Sequence, residues 1–348
     1  MKKACSMALP PYRTIYLLCH AHVRTGGPEA IHQLGRALRD LGHDARIVYI
    51  KGGLLPQFEP GWMRFPVIDD PTPPAYAHYA VPGTWDVEDA PDVAVVLPEV
   101  EPVFGFLFKQ AIPHLWWLSI DHGLKPVQAI NGFQRFHGTR FIHLCQSYYA
   151  LAYLRQHDLY GLPLFDYTAP EHTDAAASAA ATFRQDRIVY PARSAWYAQY
   201  LRKWTPDLDW QEIKGFTPAQ VQELFLTSKV YVDFGGHPGK DRMPREAALL
   251  GCCVMTGRNG AADNPFDVPI PERYKFRGRR WQVPAIARAI RTTLANYEQR
   301  NGDFAMYRRI ISGERAEFIA QAQRVFGTGT HATASATASQ PALLGVNS

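Results

Sequence analysis

Apolar positions along this chain fall into short continuous runs separated by stretches with helical spacing. In the first half the runs are TIYLLC at 14–19, ARIVYI at 45–50, VAVVL at 93–97, HLWWLS at 114–119 and residues 140–145. Short apolar runs bounded by turn residues predict buried strands. Between the first two, Ile31, Leu34, Ala37, Leu38 and Leu41 recur at helical spacing, so residues 28–41 are expected to be a helix, with Gly42 as its stop. Ser147 is placed to cap a helix running to His157. Residues 52–91 show little periodicity and are rich in Pro, Gly, Tyr and Trp. They are expected to be long loops around at most one strand, and loops of that length are usually functional.

The second half repeats the scheme. RIVYPA at 187–192 reads as a strand, and a helix follows to Trp204. WQEIK at 210–214 is the next strand. Thr217–Pro218 then supplies an N-cap and a first-turn proline for a helix through Val221, Leu224 and Phe225. A strand at 230–232 runs into a Gly/Pro loop carrying His237, Lys240, Asp241 and Arg242. Pro244 is expected at the first helical position, Gly251 ends that helix, and 252–255 is another strand. Alternation of strand and helix predicts an α/β protein with parallel sheets. The expected organisation is an N-terminal extension at 1–12 and a first Rossmann-like domain at 13–165. A linker at 166–186 leads to a second Rossmann-like domain at 187–282. Helices at 283–326 return to the first domain, and the Thr/Ala/Ser-rich 327–348 is a disordered tail.

Composition narrows the class. The 348 residues are 47% hydrophobic and 20% charged, with a net charge of +5. That suits a soluble globular protein of two domains. The positive charge is not gathered in a long run, so nucleic acid is not an expected partner. The basic stretch RYKFRGRR at 273–280 reads first as solvated surface, with contact to phosphate or an anionic membrane as the second reading. Cys5, Cys19, Cys145, Cys252 and Cys253 show no CxxC spacing, which fits buried thiols in a reducing compartment and argues against zinc. His20 and His22 are two residues apart in a loop, a weak metal signal, and no metal is expected. The N-terminal apolar stretch stops at Pro10–Pro11, too short for a signal peptide, and no run is long enough to span a bilayer. A cytoplasmic protein is expected, with peripheral contact at the inner face of the plasma membrane as the extension of the basic-run reading.

In open α/β sheets ligands bind outside the carboxyl ends of strands, where helix N-termini attract anions. Lys240, Arg242 and Arg245 add positive charge at one such mouth, and Glu246 faces it. A phosphate beside a hydroxyl-bearing ring would suit these groups. Glu99, Asp121 and His122 follow strand ends in the first half and are the acid/base candidates. Asp233–Phe234–Gly235 copies a kinase signature, but no companion kinase motif accompanies it.

The segment PREAALLGCCVMTGRNGAA, residues 244–262, resembles the donor-binding segment of GT-B glycosyltransferases of the "group 1" kind, similar to family 4. That resemblance implies two Rossmann-like domains facing across a cleft. It also implies hexosyltransferase-type transfer from a nucleotide-sugar to a glycan or lipid-linked acceptor, in surface polysaccharide synthesis. The nucleotide-sugar is then a substrate, and no cofactor is expected. Glu246 would bind the donor ribose. Gly26 and Gly27 would lie against the phosphates and sugar, Arg193 would reach the pyrophosphate, and the base would pack near Gly215–Phe216. His237, Lys240, Arg242, Asn259 and Gly260 complete the expected donor set. The family's second glutamate, eight positions before the first, is replaced here by Pro238. That departure keeps two alternatives in view: a nucleotide-sugar epimerase of the same fold, and a non-catalytic nucleotide-sugar binder. A DNA-base glycosyltransferase is disfavoured by the modest charge. If transfer inverts the anomeric centre, Asp121 is the expected base, with Glu99 second; a retaining reaction needs none.

Overall fold

The computed structural model describes residues 12–176 and 182–327. The expected N-terminal extension up to residue 11, with Cys5, lies outside the described residues. So do 177–181 of the expected linker and the tail from 328 onward. Chain contacts divide the protein into two compact units. Of the described residues, one comprises 12–116, 126–144 and 319–327; the other comprises 117–125, 145–176 and 182–318.

In the first unit the strand order is Ile142–Cys145, Ile112–Trp117, Val93–Pro98, Thr14–His20, Asp44–Ile50, Gly83–Thr84. The Thr14–His20 strand lies parallel to both of its neighbours, pairing Leu17 with Ile47 on one side and with Val96 on the other. Every residue from Val93 to Leu97 is fully buried, as are Leu17 and Leu18. Continuous rather than alternating burial is what a parallel sheet covered on both faces requires. One cover is the helix Gly26–Asp40, which buries Ile31, Leu34 and Leu38. It starts two residues before the expected Pro28, because Gly26 and Gly27 already adopt helical geometry. It ends where Gly42 takes φ 87°, a left-handed conformation glycine adopts without strain.

Residues 52–91 hold more than the single strand expected. Gln57–Glu59, Trp62–Arg64 and Asp86–Glu88 form a small antiparallel sheet of their own. Each strand is three residues long, and only its central residue can point inward, as Met63 and Val87 do. Strands that short carry no readable period.

In the second unit the order is Asp209–Ile213, Gln185–Pro191, Ser228–Asp233, Cys253–Gly257, Lys275–Phe276, with every adjacent pair parallel. The central strand buries Val230, Tyr231 and Val232 and is packed by Phe225, Ala247 and Ile286 from the flanking helices. The helix after the charged loop runs Arg242–Leu249, two residues earlier than expected. Pro244 is tolerated there because the first turn's N–H groups have no intrahelical acceptor. Thr217 caps Pro218–Thr227, as the sequence indicates, and the structure adds a reciprocal bond from Gln220. The last helix, Ala305–Phe326, contributes its residues through 318 to this unit and the remainder to the first. Cys19, Cys145, Cys252 and Cys253 are buried free thiols. No described helix is long and apolar enough to cross a membrane.

Candidate functional site

The carboxyl ends of the second unit's strands bring together residues from four places in the sequence. Arg193 follows the Gln185–Pro191 strand on a single 3-10 turn. Asp233 is the last residue of the central strand and is completely buried. Its carboxylate accepts from Arg193 Nη2 at 2.5 Å and Nε at 3.1 Å, from Ser194 Oγ at 2.6 Å, from Tyr231 Oη at 2.9 Å and from Gly235 N at 3.0 Å. Burial works against its charge, but His237, Arg193 and Ser194 outweigh that and hold the carboxyl below the ordinary range. Gly235 is required here, since a Cβ would press on Arg193 Cγ at 2.6 Å. Arg193 also reaches Asp241 at 3.2 Å, while a third of its side chain stays accessible. The guanidinium is therefore aimed and held by two carboxylates at the strand end.

His237 does not present its ring to the mouth, as a donor contact would. The imidazole is 1% exposed, with Nδ1 2.7 Å from Asp241 and Nε2 3.7 Å from Asp233. It braces the two carboxylates that hold Arg193. Its carbonyl accepts from Ala261 N at 2.8 Å, and the neighbouring Gly260, at φ 56°, is too close to that carbonyl to carry a side chain. Asn259 is exposed beyond the Cys253–Gly257 strand, its amide 3.5 Å from the carbonyl of Gly235.

The cations expected at the helix mouth are mostly turned inward. Lys240 is buried, its ammonium 2.8 Å from Glu314. Arg245 is fully buried and bridges Asp166, at 2.9 and 3.1 Å, to Glu314, at 3.0 Å. Its remaining N–H groups go to the carbonyls of Asp166, Lys240 and Asp241. Gln146 ties the group together, donating to Asp166 at 2.7 Å and accepting from Lys240 N at 2.7 Å. Burial opposes the Glu314 charge, but Arg245 and Lys240 outweigh it and depress its pKa. Lys240 and Arg245 thus belong to a structural ion network. Arg242, with Nε 3.6 Å from Asp166, sits at the edge of that network. Asp166 and Glu314 lie far from residue 245 in sequence, so no local pattern could have exposed the pairing.

Glu246 keeps its place one turn into the Arg242–Leu249 helix and is partly accessible. Among the described residues its ion-pairing neighbour is the imidazole of His172, at 3.6 Å. Gly215 sits exposed after its strand at φ 77° with open space around it.

Asp121 and His122 begin the helix Ile120–Ala129, and both are exposed. Their segment, 117–125, belongs to the second unit. Ile120 N donates to Pro238 O at 2.9 Å, and glycine at 239 is needed because the carbonyl of Leu118 occupies the space of a Cβ. Asp121 is therefore anchored to the same loop that carries His237. Burial, then the Asp121 charge, raises the pKa of nearby Tyr149.

Glu99, Gly26 and Gly27 belong to the first unit. Glu99 is 4% exposed, unlike a base open to an acceptor, and its N–H bonds to Trp116 O at 3.1 Å. Gly26 and Gly27 open their helix at the surface. Sequence reasoning passed over one pair at this edge: His20 Nε2 is 3.2 Å from Glu101 Oε1. Among the described residues no group of three His, Cys, Asp or Glu side chains is arranged to hold a metal ion.

No protein-family model matches this chain, and no curated protein does. Solved structures do. A glycosyltransferase from Rickettsia africae ESF-5 is similar at 10% identity, over 90% of this chain and 98% of that one, with a TM-score of 0.59. Anabaena HepE, solved with UDP-glucose, is similar at 10% identity over 93% and 99%, with a TM-score of 0.57. A sucrose-phosphate synthase from Thermosynechococcus elongatus is similar at 15% identity over 94% and 97%, with a TM-score of 0.51. At such identity the likeness is one of fold, and the chain has the two-Rossmann-domain GT-B fold of glycosyltransferases.

Proposed function

We propose that the protein is a glycosyltransferase that moves a sugar from a nucleotide-sugar donor to a glycan or lipid-linked acceptor in surface polysaccharide synthesis. One observation carries this reading. In a GT-B fold, the strand ends of the second unit place an aimed, accessible guanidinium, Arg193, on the same compact unit as a carboxylate with no described hydrogen-bond donor, Glu246. A nucleoside diphosphate offers the complement: an anion for Arg193 and the Arg242–Leu249 helix N-terminus, and a diol for Glu246. HepE, which shares the fold, was solved with UDP-glucose, and that supports a nucleotide-sugar as the donor.

In this reading the sugar–phosphate bond breaks as the acceptor oxygen attacks the anomeric carbon. Charge develops on the leaving diphosphate, where Arg193 and the helix dipole stabilise it. Preorganised electrostatics of this kind typically make the largest contribution to rate. For an inverting reaction our candidate base is Asp121, which is exposed and whose neighbour Ile120 is hydrogen-bonded to the loop carrying His237.

Thermal shift against UDP, ADP, GDP and their sugar conjugates tests the proposal. A ligand at a hundred times its Kd stabilises the protein by about 2.7 kcal/mol. Glu246→Ala should remove most of the shift produced by the best nucleotide. No shift with any nucleotide would defeat the proposal. Binding without slow donor hydrolysis or transfer would leave a sugar-nucleotide binder, and epimerised sugar without an acceptor would identify an isomerase.

A further inference from the structure

The neighbour of Glu246 has no assigned role. His172 lies on the helix Pro170–Ala176, which packs beside Arg242–Leu249. Its Nε2 is 3.6 Å from Glu246 Oε1, and the two side chains are 15% and 14% exposed. Its other nitrogen, Nδ1, is buried with no hydrogen-bond partner. That asymmetry selects a tautomer. A proton on Nδ1 would bury an N–H with no acceptor and would set the Nε2 lone pair against a carboxylate oxygen. A proton on Nε2 avoids both penalties and faces Oε1 across 3.6 Å, an electrostatic approach beyond hydrogen-bond length.

The surrounding charges leave Glu246 dependent on this one contact. Lys240 and Arg245 are committed to Glu314 and Asp166, and Arg193 to Asp233 and Asp241. No described group donates a hydrogen bond to the Glu246 side chain. A carboxylate with two free oxygens samples several orientations, and each can meet a lone hydroxyl. One oxygen drawn towards the imidazole narrows the range of planes the group adopts, so that both oxygens meet a vicinal diol together.

We propose that His172 is a positioning residue which, by holding Glu246 Oε1, makes the site select ribonucleoside diphosphates over their 2′-deoxy counterparts. The inference rests on Glu246 being the contact to the donor ribose. Isothermal titration with UDP, ADP and GDP identifies the tightest of the three, and its 2′-deoxy counterpart is then titrated against the same variants. Wild type should prefer the ribonucleotide by about tenfold or more, the worth of one hydrogen bond to a charged acceptor. His172→Ala should weaken the ribonucleotide about tenfold and leave the 2′-deoxy form unchanged, so that the preference disappears. His172→Gln, whose amide can donate to Oε1, should restore most of it. Thermal melts of the free variants check that they fold, and a His172→Asn variant replaces the alanine should it not.

Equal weakening of both nucleotides by His172→Ala would overturn the proposal and make His172 merely structural. So would a ribonucleotide preference that survives the substitution. The Glu246→Gln variant separates the two levels. If it abolishes the preference while His172→Ala does not, the ribose role of Glu246 stands and only His172 falls. If it leaves the preference intact, the ribose role itself fails and takes this inference with it.

Discussion

Arg245→Ala should damage the fold rather than the chemistry. The side chain is fully buried, so no solvent screening weakens its contacts. It bridges Asp166 and Glu314 at 2.9 to 3.1 Å and gives its other N–H groups to three backbone carbonyls. Once it is removed, Asp166 keeps Gln146 at 2.7 Å, and Arg242 only at 3.6 Å. Glu314 keeps Lys240 at 2.8 Å and both donors of Thr168. Two buried carboxylates then share a single close cation. Breaking a buried pair by deleting one partner costs about 3–5 kcal/mol. For a domain of this size that lowers Tm by roughly 6–20 °C. Differential scanning calorimetry is the assay, because two units can melt in separate transitions and the affected one can be followed. Nucleotide affinity at a temperature where the variant is folded should stay within about twofold of wild type, as expected for a residue making no ligand contact. A cost below about 1 kcal/mol together with lost nucleotide binding would return Arg245 to the mouth of the site and refute the network.

Gly260→Ala forces a left-handed backbone on alanine and sets a methyl against the His237 carbonyl. It should cost about 1–3 kcal/mol and weaken nucleotide binding, both readable by thermal shift. Asp121→Asn should leave donor affinity unchanged and lower transfer by about a hundredfold or more if the reaction inverts; unaltered transfer by the variant would remove Asp121 from the chemistry. Glu314 and Asp233 both have depressed pKa values in the folded state. Their contribution is fully present above the unfolded values of about 4 and is lost as pH falls through the lower folded values. Urea midpoints should therefore drop steeply below about pH 4, and Glu314→Gln should flatten that slope; an unchanged slope would deny the buried pairing.

The strands were legible because parallel sheets bury whole apolar runs, and 93–97 or 230–232 admit no other reading. The crossover helices were legible from spacing, with ends displaced by two residues at Gly26 and Arg242, where glycine and proline obscure the boundary. The small antiparallel sheet was not legible, since three-residue strands have no period. At the site, local sequence put Arg193 after a strand and Glu246 in the first turn of a helix, but could not show that Lys240 and Arg245 are buried in ion pairs. A cation's role depends on what faces it, and here the partners come from Asp166 and Glu314. His172 was invisible for the same reason.

That division of the cations has a consequence for how an anion could be held. Of the basic side chains gathered around the loop, Lys240 and Arg245 are sealed, and Arg242 touches the sealed network. What faces outward is Arg193, shared between Asp233 and Asp241, while the N–H of Gly235 is turned inward to Asp233. Asp233 is fixed by four further contacts, whereas Asp241 is one-fifth exposed and meets Arg193 only at 3.2 Å. An arriving diphosphate would therefore compete with Asp241 for the guanidinium while Asp233 keeps it aimed. An anion held in this arrangement would meet one steered charge rather than a cluster of lysines.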